Sequence, residues 1–375
     1  MGKLLSSSRL LDLKEMKNSG AKIVGYIPNG YMPEELLHAC GAVPVALIRG
    51  GDPEPVAVSA SYLGTFIDTF CRAHIGYRIL KEEPLYQMLD LFIVPVTDNH
   101  VRAIADSWDF YIDVALFRLG VPHAKTNHGF KYYLQEINLL KEHLERLTGT
   151  KITKQRLREE IDLANRMRRL LEEISLMRRS ERPPISGKDF IKLNHDSFYA
   201  DRHTMIKVLE SLCDELRVKD APSLGGPRVL LTGSTLAVGD SKVVDLLEET
   251  GASIVIEEFC EGMRNYWQTV DANDDPMQAL ANSYFARRVP CAFFRGAAKE
   301  RFDSLLKLIN DFKVDGVVWY SLMYRDSYDI EGYLFRRALE KLNIPMLRLS
   351  SDYDAAETGT FRTRIETFID TIKKR

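Results

Sequence analysis

Strand-length apolar runs alternate with helical stretches in two separate blocks of this chain, and the alternation fails between them. In the first block, residues 22–27 (KIVGYI), 43–48 (VPVALI), 91–94 and 114–117 read as buried strands. Residues 33–40 (PEELLHAC) and 101–108 read as helices between them, with Pro33 in a first turn and acids behind it, where the helix dipole favours them. Strands separated by helices predict a parallel sheet. From about His128 to Val218 the β-branched alternation disappears. Residues 132–147 and 154–178 instead carry apolar side chains at steps of three and four, until Pro183-Pro184 interrupts them. After Gly225-Gly226-Pro227 the first rhythm returns, with strands at 228–231, 253–256, 317–320 and 346–349. Helices are expected at 241–249, 277–287, 299–312, 332–342 and 360–372.

The expected architecture is α/β, with two flavodoxin-like parallel-sheet domains and a helical segment between them. Its boundaries fall at 1–20 for an N-terminal helical lead, 21–127 for the first α/β domain, 128–226 for the helices and 227–375 for the second α/β domain. A length of 375 residues suits two or three domains, and 45% apolar with 28% charged residues is ordinary globular composition. The net charge of −2 argues against a nucleic-acid surface, which needs a basic patch. Lys and Arg do gather at 151–182, but acids are interleaved there, as on a solvated helix face. Neither a membrane span nor a signal-peptide core is present in the sequence. Five dispersed cysteines without a CxxC argue against a disulfide framework and for a reducing cytoplasm.

Open α/β sheets bind ligands beyond the carboxyl ends of their strands. Three stretches there, each read as a loop, carry chemistry: residues 69–76 with Cys71 and Arg72, 94–99 with Asp98, and 323–326 with Arg325. Cys71 reads either as a metal ligand or as a small buried apolar side chain. Asp98, and Cys260 after the strand at 253–256, are the further metal candidates. Cys40, Cys213 and Cys291 read as structural. His38, His74 and His100 lack metal-ligand spacing and read as surface or hydrogen-bonded side chains. Glu34 and Glu35 compensate a helix dipole or act as catalytic carboxylates. Gly233-Ser234 offers backbone N–H groups to an anion, and Arg264 and Arg325 suit phosphates or carboxylates. Tyr31 and Arg72 complete the substrate-binding candidates.

Residues 23–27 (IVGYI) and 32–45 (MPEELLHACGAVPV) resemble the 2-hydroxyacyl-CoA dehydratase and benzoyl-CoA reductase family. So do Leu231-Thr232-Gly233-Ser234, Gly251-Ala252, 257–264 (EEFCEGMR), 314–318 (VDGVV) and Asn343-Ile344-Pro345, in the family's order. The resemblance runs from about residue 20 to the end. It implies a subunit of a heterodimer or heterotetramer acting on a CoA thioester, with a [4Fe–4S] cluster. It also implies an ATP-dependent iron–sulfur activator that supplies one electron at low potential. The thioester becomes a ketyl radical, and either water is lost from a 2-hydroxyacyl group or an aromatic ring is reduced. Thiolates suit such clusters, whose potential follows charge, hydrogen bonding and exposure. The same resemblance places Glu34 and Glu35 near the substrate.

The resemblance also implies three cluster cysteines, one per strand-end segment. Cys71 matches the first, while Thr97 and Arg325 stand at the other two positions. An arginine cannot ligate iron, and a threonine is a weak ligand. Three readings stay open: a lyase or reductase subunit using a cluster of its own or of its partner, a cluster-less docking subunit, and a diverged small-ligand-binding protein.

Overall fold

The computed structural model of the chain describes residues 2–81, 83–223, 225–272 and 275–374, with side chains from residue 9 onward; residues 1 and 375 of the expected terminal boundaries lie outside them. Two four-stranded parallel sheets form its framework. The first holds β1 (Ile23–Tyr26), β2 (Val43–Ala46), β3 (Leu91–Val96) and β4 (Ala115–Gly120), in the order β2-β1-β3-β4. The second holds β5 (Arg228–Gly233), β6 (Ser253–Glu258), β7 (Gly316–Leu322) and β8 (Met346–Ser351), in the order β6-β5-β7-β8. This is an α/β fold consistent with two flavodoxin-like domains. The central strands β1 and β7 are buried at every residue. Strands covered on both faces read as unbroken apolar runs, so the sequence exposes them clearly. The edge strand β4 is mostly uncovered and extends three residues beyond its expected end.

Four helices lie between the sheets in sequence: Asn127–Thr148, Lys154–Met177, Gly187–Ser197 and Arg202–Val218. Each starts on a capping side chain, with Thr126, Thr153, Ser186 and Asp201 accepting from the N–H three residues on. Their apolar faces join both sheets. One buried cluster runs from Val24 and Ile93 through Tyr133, Leu140 and Ile174 to Leu230 and Val317. A parallel bridge between Arg49 and Val238 ties the two halves on another side. No helix among the described residues is long and apolar enough to cross a membrane.

The main departure from expectation lies around Cys71. Residues 69–76 are not a loop: they open the helix Thr69–Leu80, and a further helix, Pro53–Ser59, packs against it. Gly76 allows this close approach, since a Cβ there would lie 2.0 Å from the Pro55 carbonyl oxygen. Phe70, Ala73, His74 and Tyr77 lie on one buried face of the helix Thr69–Leu80, and Thr69, Cys71, Ile75 and Gly76 are buried as well. That face is only two turns long and is rich in residues that also suit strands, which hid its period. The stretch expected as one helix at 277–287 is a short α-helix, Pro276–Ala281, continued by a π-helical turn, Asn282–Arg287.

Candidate functional site

In both sheets the strand order reverses beside the first strand, between β1 and β3 and between β5 and β7. A crevice opens at such a reversal. The ends of these four strands and the segments that follow them carry Tyr31, Glu34, Glu35, Asp98, Gly233, Ser234 and Arg325, while Cys71 and Arg72 follow β2 and Cys260 and Arg264 follow β6.

Asp68, Cys71, Asp98 and Arg325 form the first cluster. Asp68 caps the helix Thr69–Leu80, accepting from the Cys71 N–H at 3.0 Å. Asp98 caps the helix Asn99–Tyr111, accepting from the N–H groups of His100 and Val101. Arg325 enters from the second half, and its Nη1 donates to Asp68 at 3.1 Å and to Asp98 at 3.2 Å. The imidazole of His100 accepts from the Asp68 N–H, and the Tyr328 ring lies 5.6 Å from the guanidinium. Burial opposes ionisation of Asp98, but Arg325 and the Val101 N–H outweigh it and hold the carboxyl below its usual range. Cys71 is fully buried, and burial together with nearby Asp68 pushes its thiol well above the ordinary value. It is therefore held as a neutral thiol.

Glu34 and Glu35 begin the helix after β1 and diverge into separate ion pairs. Glu35 is fully buried, accepting from Arg168 at 2.7 Å and from the Tyr284 hydroxyl at 2.8 Å. Glu34 meets Arg202 at 3.0 Å, His38 at 3.0 Å and the Tyr26 hydroxyl at 2.5 Å. Burial raises the pKa of Glu34, but bonds to His38 and the charge of Arg202 more than offset it, so the carboxyl stays ionised. Glu34, Tyr26, Arg168, Arg202 and Tyr284 line a small polar cavity of about 40 Å³, together with Arg288 and Cys260, while Glu35 and His38 lie outside its wall. Arg288 bonds the Gly30 carbonyl and stacks on Tyr284 at 4.7 Å, with no carboxylate partner among the described residues.

The third cluster joins Tyr31, Cys260, Arg264 and Cys291. The two sulfurs lie 3.4 Å apart, and Arg264 Nη1 approaches Cys291 at 3.2 Å and Cys260 at 3.5 Å. The far side of Arg264 pairs with Glu258 at 2.5 Å. The Tyr31 hydroxyl accepts from the Cys291 N–H. Burial raises the Cys291 pKa, but its bond with Cys260 and the charge of Arg264 outweigh it and bring the thiol down to about 6. Cys260 moves the other way, through its bond with Cys291 and burial, so the pair's negative charge is favoured on Cys291.

Arg72 spends its guanidinium on the neighbouring helix Pro53–Ser59, bonding the Ser59 hydroxyl and the Val56 carbonyl. Gly233 takes φ +146°, and a Cβ there would lie 1.6 Å from the Tyr320 oxygen. That closeness lets the Ser234 N–H bond the Tyr320 carbonyl, while the Ser234 hydroxyl accepts from the Leu322 N–H. The turn thus uses its amide inside the sheet. His74 is buried between two backbone carbonyls, of Phe70 and Leu47. Asp68, Arg168, Arg202, Tyr284, Arg288 and Cys291 were missed as site residues. Their partners are remote in sequence; Asp68 alone left a local trace, as an aspartate ahead of a helical spacing. A larger cavity of about 540 Å³ borders β2 and the helix Gly187–Ser197, and contains none of the site residues expected from sequence.

A three-thiolate cluster does not fit the first group. Cys71 supplies its one sulfur, Thr97 offers only a hydroxyl, and Arg325 puts a cation where a ligand to iron is needed. Cys260 points its sulfur at Cys291 instead. Among the described residues, no group of three or more His, Cys, Asp or Glu is arranged to hold a metal ion.

Residues 29–372 match the profile of the family described as 2-hydroxyglutaryl-CoA dehydratase, D-component. The chain is 26% identical to YjiM of Escherichia coli (strain K12) over 366 residues, covering 96% of this chain and 94% of that protein. It is 22% identical over 363 residues to the (R)-phenyllactyl-CoA dehydratase beta subunit of Clostridium sporogenes, covering 96% and 94%. It is also 22% identical over 355 residues to a benzoyl-CoA reductase subunit of Thauera aromatica, covering 94% and 91%. With the profile spanning nearly the whole chain, this protein belongs to the 2-hydroxyglutaryl-CoA dehydratase D-component family.

Proposed function

We propose that this chain is a cluster-less subunit of an enzyme that dehydrates or reduces a CoA thioester. In this reading it pairs with a homologous subunit, as a heterodimer or heterotetramer, and that cysteine-complete partner holds the [4Fe–4S] cluster. An ATP-dependent iron–sulfur activator serves the partner, and the one-electron chemistry belongs there. This chain contributes the docking surface and part of the cleft wall. The observation that carries the reading is the buried Arg325 ion pair with Asp68 and Asp98, which fills the place where three thiolates would have to meet. The relatives named as subunits of a dehydratase and of a reductase support a role inside a multi-subunit enzyme. On the cleft side, Arg288 is a cation that no carboxylate of the described residues neutralises, suited to an anionic substrate group, and Glu34 is the carboxylate beside it in the cavity wall.

The test is anaerobic purification of this chain alone and with its co-expressed partner, with iron and sulfide assayed in each. The expected result is a colourless chain that takes up no iron on reconstitution, beside a brown complex. About four irons per chain in the isolated protein, the content of a [4Fe–4S] cluster, would overturn the proposal.

A further inference from the structure

Cys260 and Cys291 have no role in the reading above, yet their surroundings are specific. Their sulfurs are 3.4 Å apart although the residues are 31 positions apart in sequence. A disulfide needs about 2.05 Å, so a small shift of two loops closes the gap. One guanidinium, Arg264, touches both sulfurs and is itself fixed by Glu258. A cation at that distance favours the thiolate over the thiol. Cys260 also lines the small polar cavity, so a molecule of a few atoms has a route to it. The other three cysteines differ. Cys40 bonds the Leu37 carbonyl, Cys213 faces the Leu170 carbonyl, and Cys71 lies beside Asp68.

We propose that Cys260 and Cys291 form a peroxide-sensitive dithiol that closes to a disulfide inside the folded subunit. The pair shares a proton across the sulfur–sulfur contact, so the thiolate reaches either atom. The Cys260 sulfur attacks one oxygen of hydrogen peroxide; an S–O bond forms and the O–O bond breaks. The leaving hydroxide takes back the proton that the pair released to solvent when its thiolate formed and departs as water, leaving a sulfenic acid on Cys260. The Cys291 sulfur then attacks that sulfur. An S–S bond forms, the S–O bond breaks, and the second hydroxide leaves as water with the remaining thiol proton. Two thiols and one peroxide give one disulfide and two waters, each sulfur losing one electron and the peroxide gaining two. The narrow cavity admits peroxide and excludes larger disulfides such as oxidised glutathione.

The full chain, prepared reduced, is treated with a few equivalents of hydrogen peroxide, alkylated in denaturant and mapped by mass spectrometry. The expected product has lost two hydrogens and carries a peptide linking Cys260 to Cys291. Cys40, Cys71 and Cys213 stay alkylated, and dithiothreitol reverses the change. Oxidised glutathione is expected to produce the linked peptide at least tenfold more slowly. In Cys291→Ser, Cys260 is expected to accumulate a sulfenic acid, trapped by dimedone once the chain is unfolded, with no cross-link. The idea is overturned if the linked peptide is absent from folded, peroxide-treated wild-type protein, or if all five cysteines oxidise at similar rates. The wild-type map decides the matter even where the variant does not fold.

Discussion

Arg325 carries its positive charge into a place closed to solvent because two aspartates, each capping a different helix, stand on either side. Removing one member of a buried pair leaves an uncompensated charge and costs about 3–5 kcal/mol. Arg325→Met should therefore lower unfolding stability by that amount in urea titration. Adding Asp68→Asn and Asp98→Asn should recover most of it, because asparagine still caps while the charges are gone. An unchanged midpoint in Arg325→Met would show that the pair contributes nothing. The sequence made this group half legible. Cys71, Asp98 and Arg325 stood out as strand-end residues, but Asp68, which ties them together, did not. Its caps and ion pair depend on a helix whose short buried face resembled a loop.

At the scale of elements, the helix Lys154–Met177 is fastened by Arg168 to the helix after β1 and, by the residue that ends it, Arg178, to β6 of the second sheet. Arg168 reaches Glu35 at 2.7 Å, and Arg178 reaches Glu257 at 2.7 Å while its guanidinium lies 3.9 Å from the centre of the Phe190 ring. Arg168→Met strands Glu35 in the core and should cost about 3–5 kcal/mol. Pairing it with Glu35→Gln should restore much of that loss. A double-mutant cycle read by thermal melting checks both, and simple additivity of the two substitutions would refute the coupling. The apolar period of this helix was plain in sequence, as were its limits. Its partners were not, because Glu35 lies 133 positions from Arg168. Glu34 and Glu35 read as one acid pair, whereas a helix turn directs them to different arginines.

For the whole molecule, the two-block alternation was enough to foresee two parallel sheets, since fully covered strands leave unbroken apolar runs. Their pairing order, the short helices and the cavities depend on contacts across the chain and left no local mark. One of these contacts predicts a pH dependence of global stability. Asp240 is buried, accepts from the Tyr320 hydroxyl at 2.6 Å, and is raised by burial from 3.8 to about 7. The folded state thus holds a proton that the unfolded state releases. The stabilisation is full below the ordinary carboxyl value, falls as pH rises from about 4 to 7, and is gone above. Three units correspond to about 4 kcal/mol. Asp240→Asn should flatten that slope and melt higher than wild type at pH 8, with little difference at pH 4. Equal slopes in wild type and variant would remove Asp240 as the cause.

Both sheets share one strand order, which makes β3 the counterpart of β7 and the helix following each a counterpart too. Asp98 and Arg325 are the N-terminal caps of those two helices, so the ion pair joins a position to its own equivalent. Self-facing contacts of this kind lie on the axis of an isologous interface, familiar between identical subunits. Here both halves belong to one chain, and the contact has a polarity, acidic at one equivalent position and basic at the other. Exchanging the two residues, Asp98→Arg with Arg325→Asp, would reverse that polarity: the helix Asp326–Glu340 gains a carboxylate cap and the helix Asn99–Tyr111 loses one. Because Asp68 also pairs with Arg325, the exchange is made together with Asp68→Asn. That chain should lie within about 1–2 kcal/mol of wild type, the worth of a cap, in a urea titration beside the single substitutions, each expected to cost about 3–5 kcal/mol. An exchanged chain no more stable than the single variants would mean that the two positions are not interchangeable.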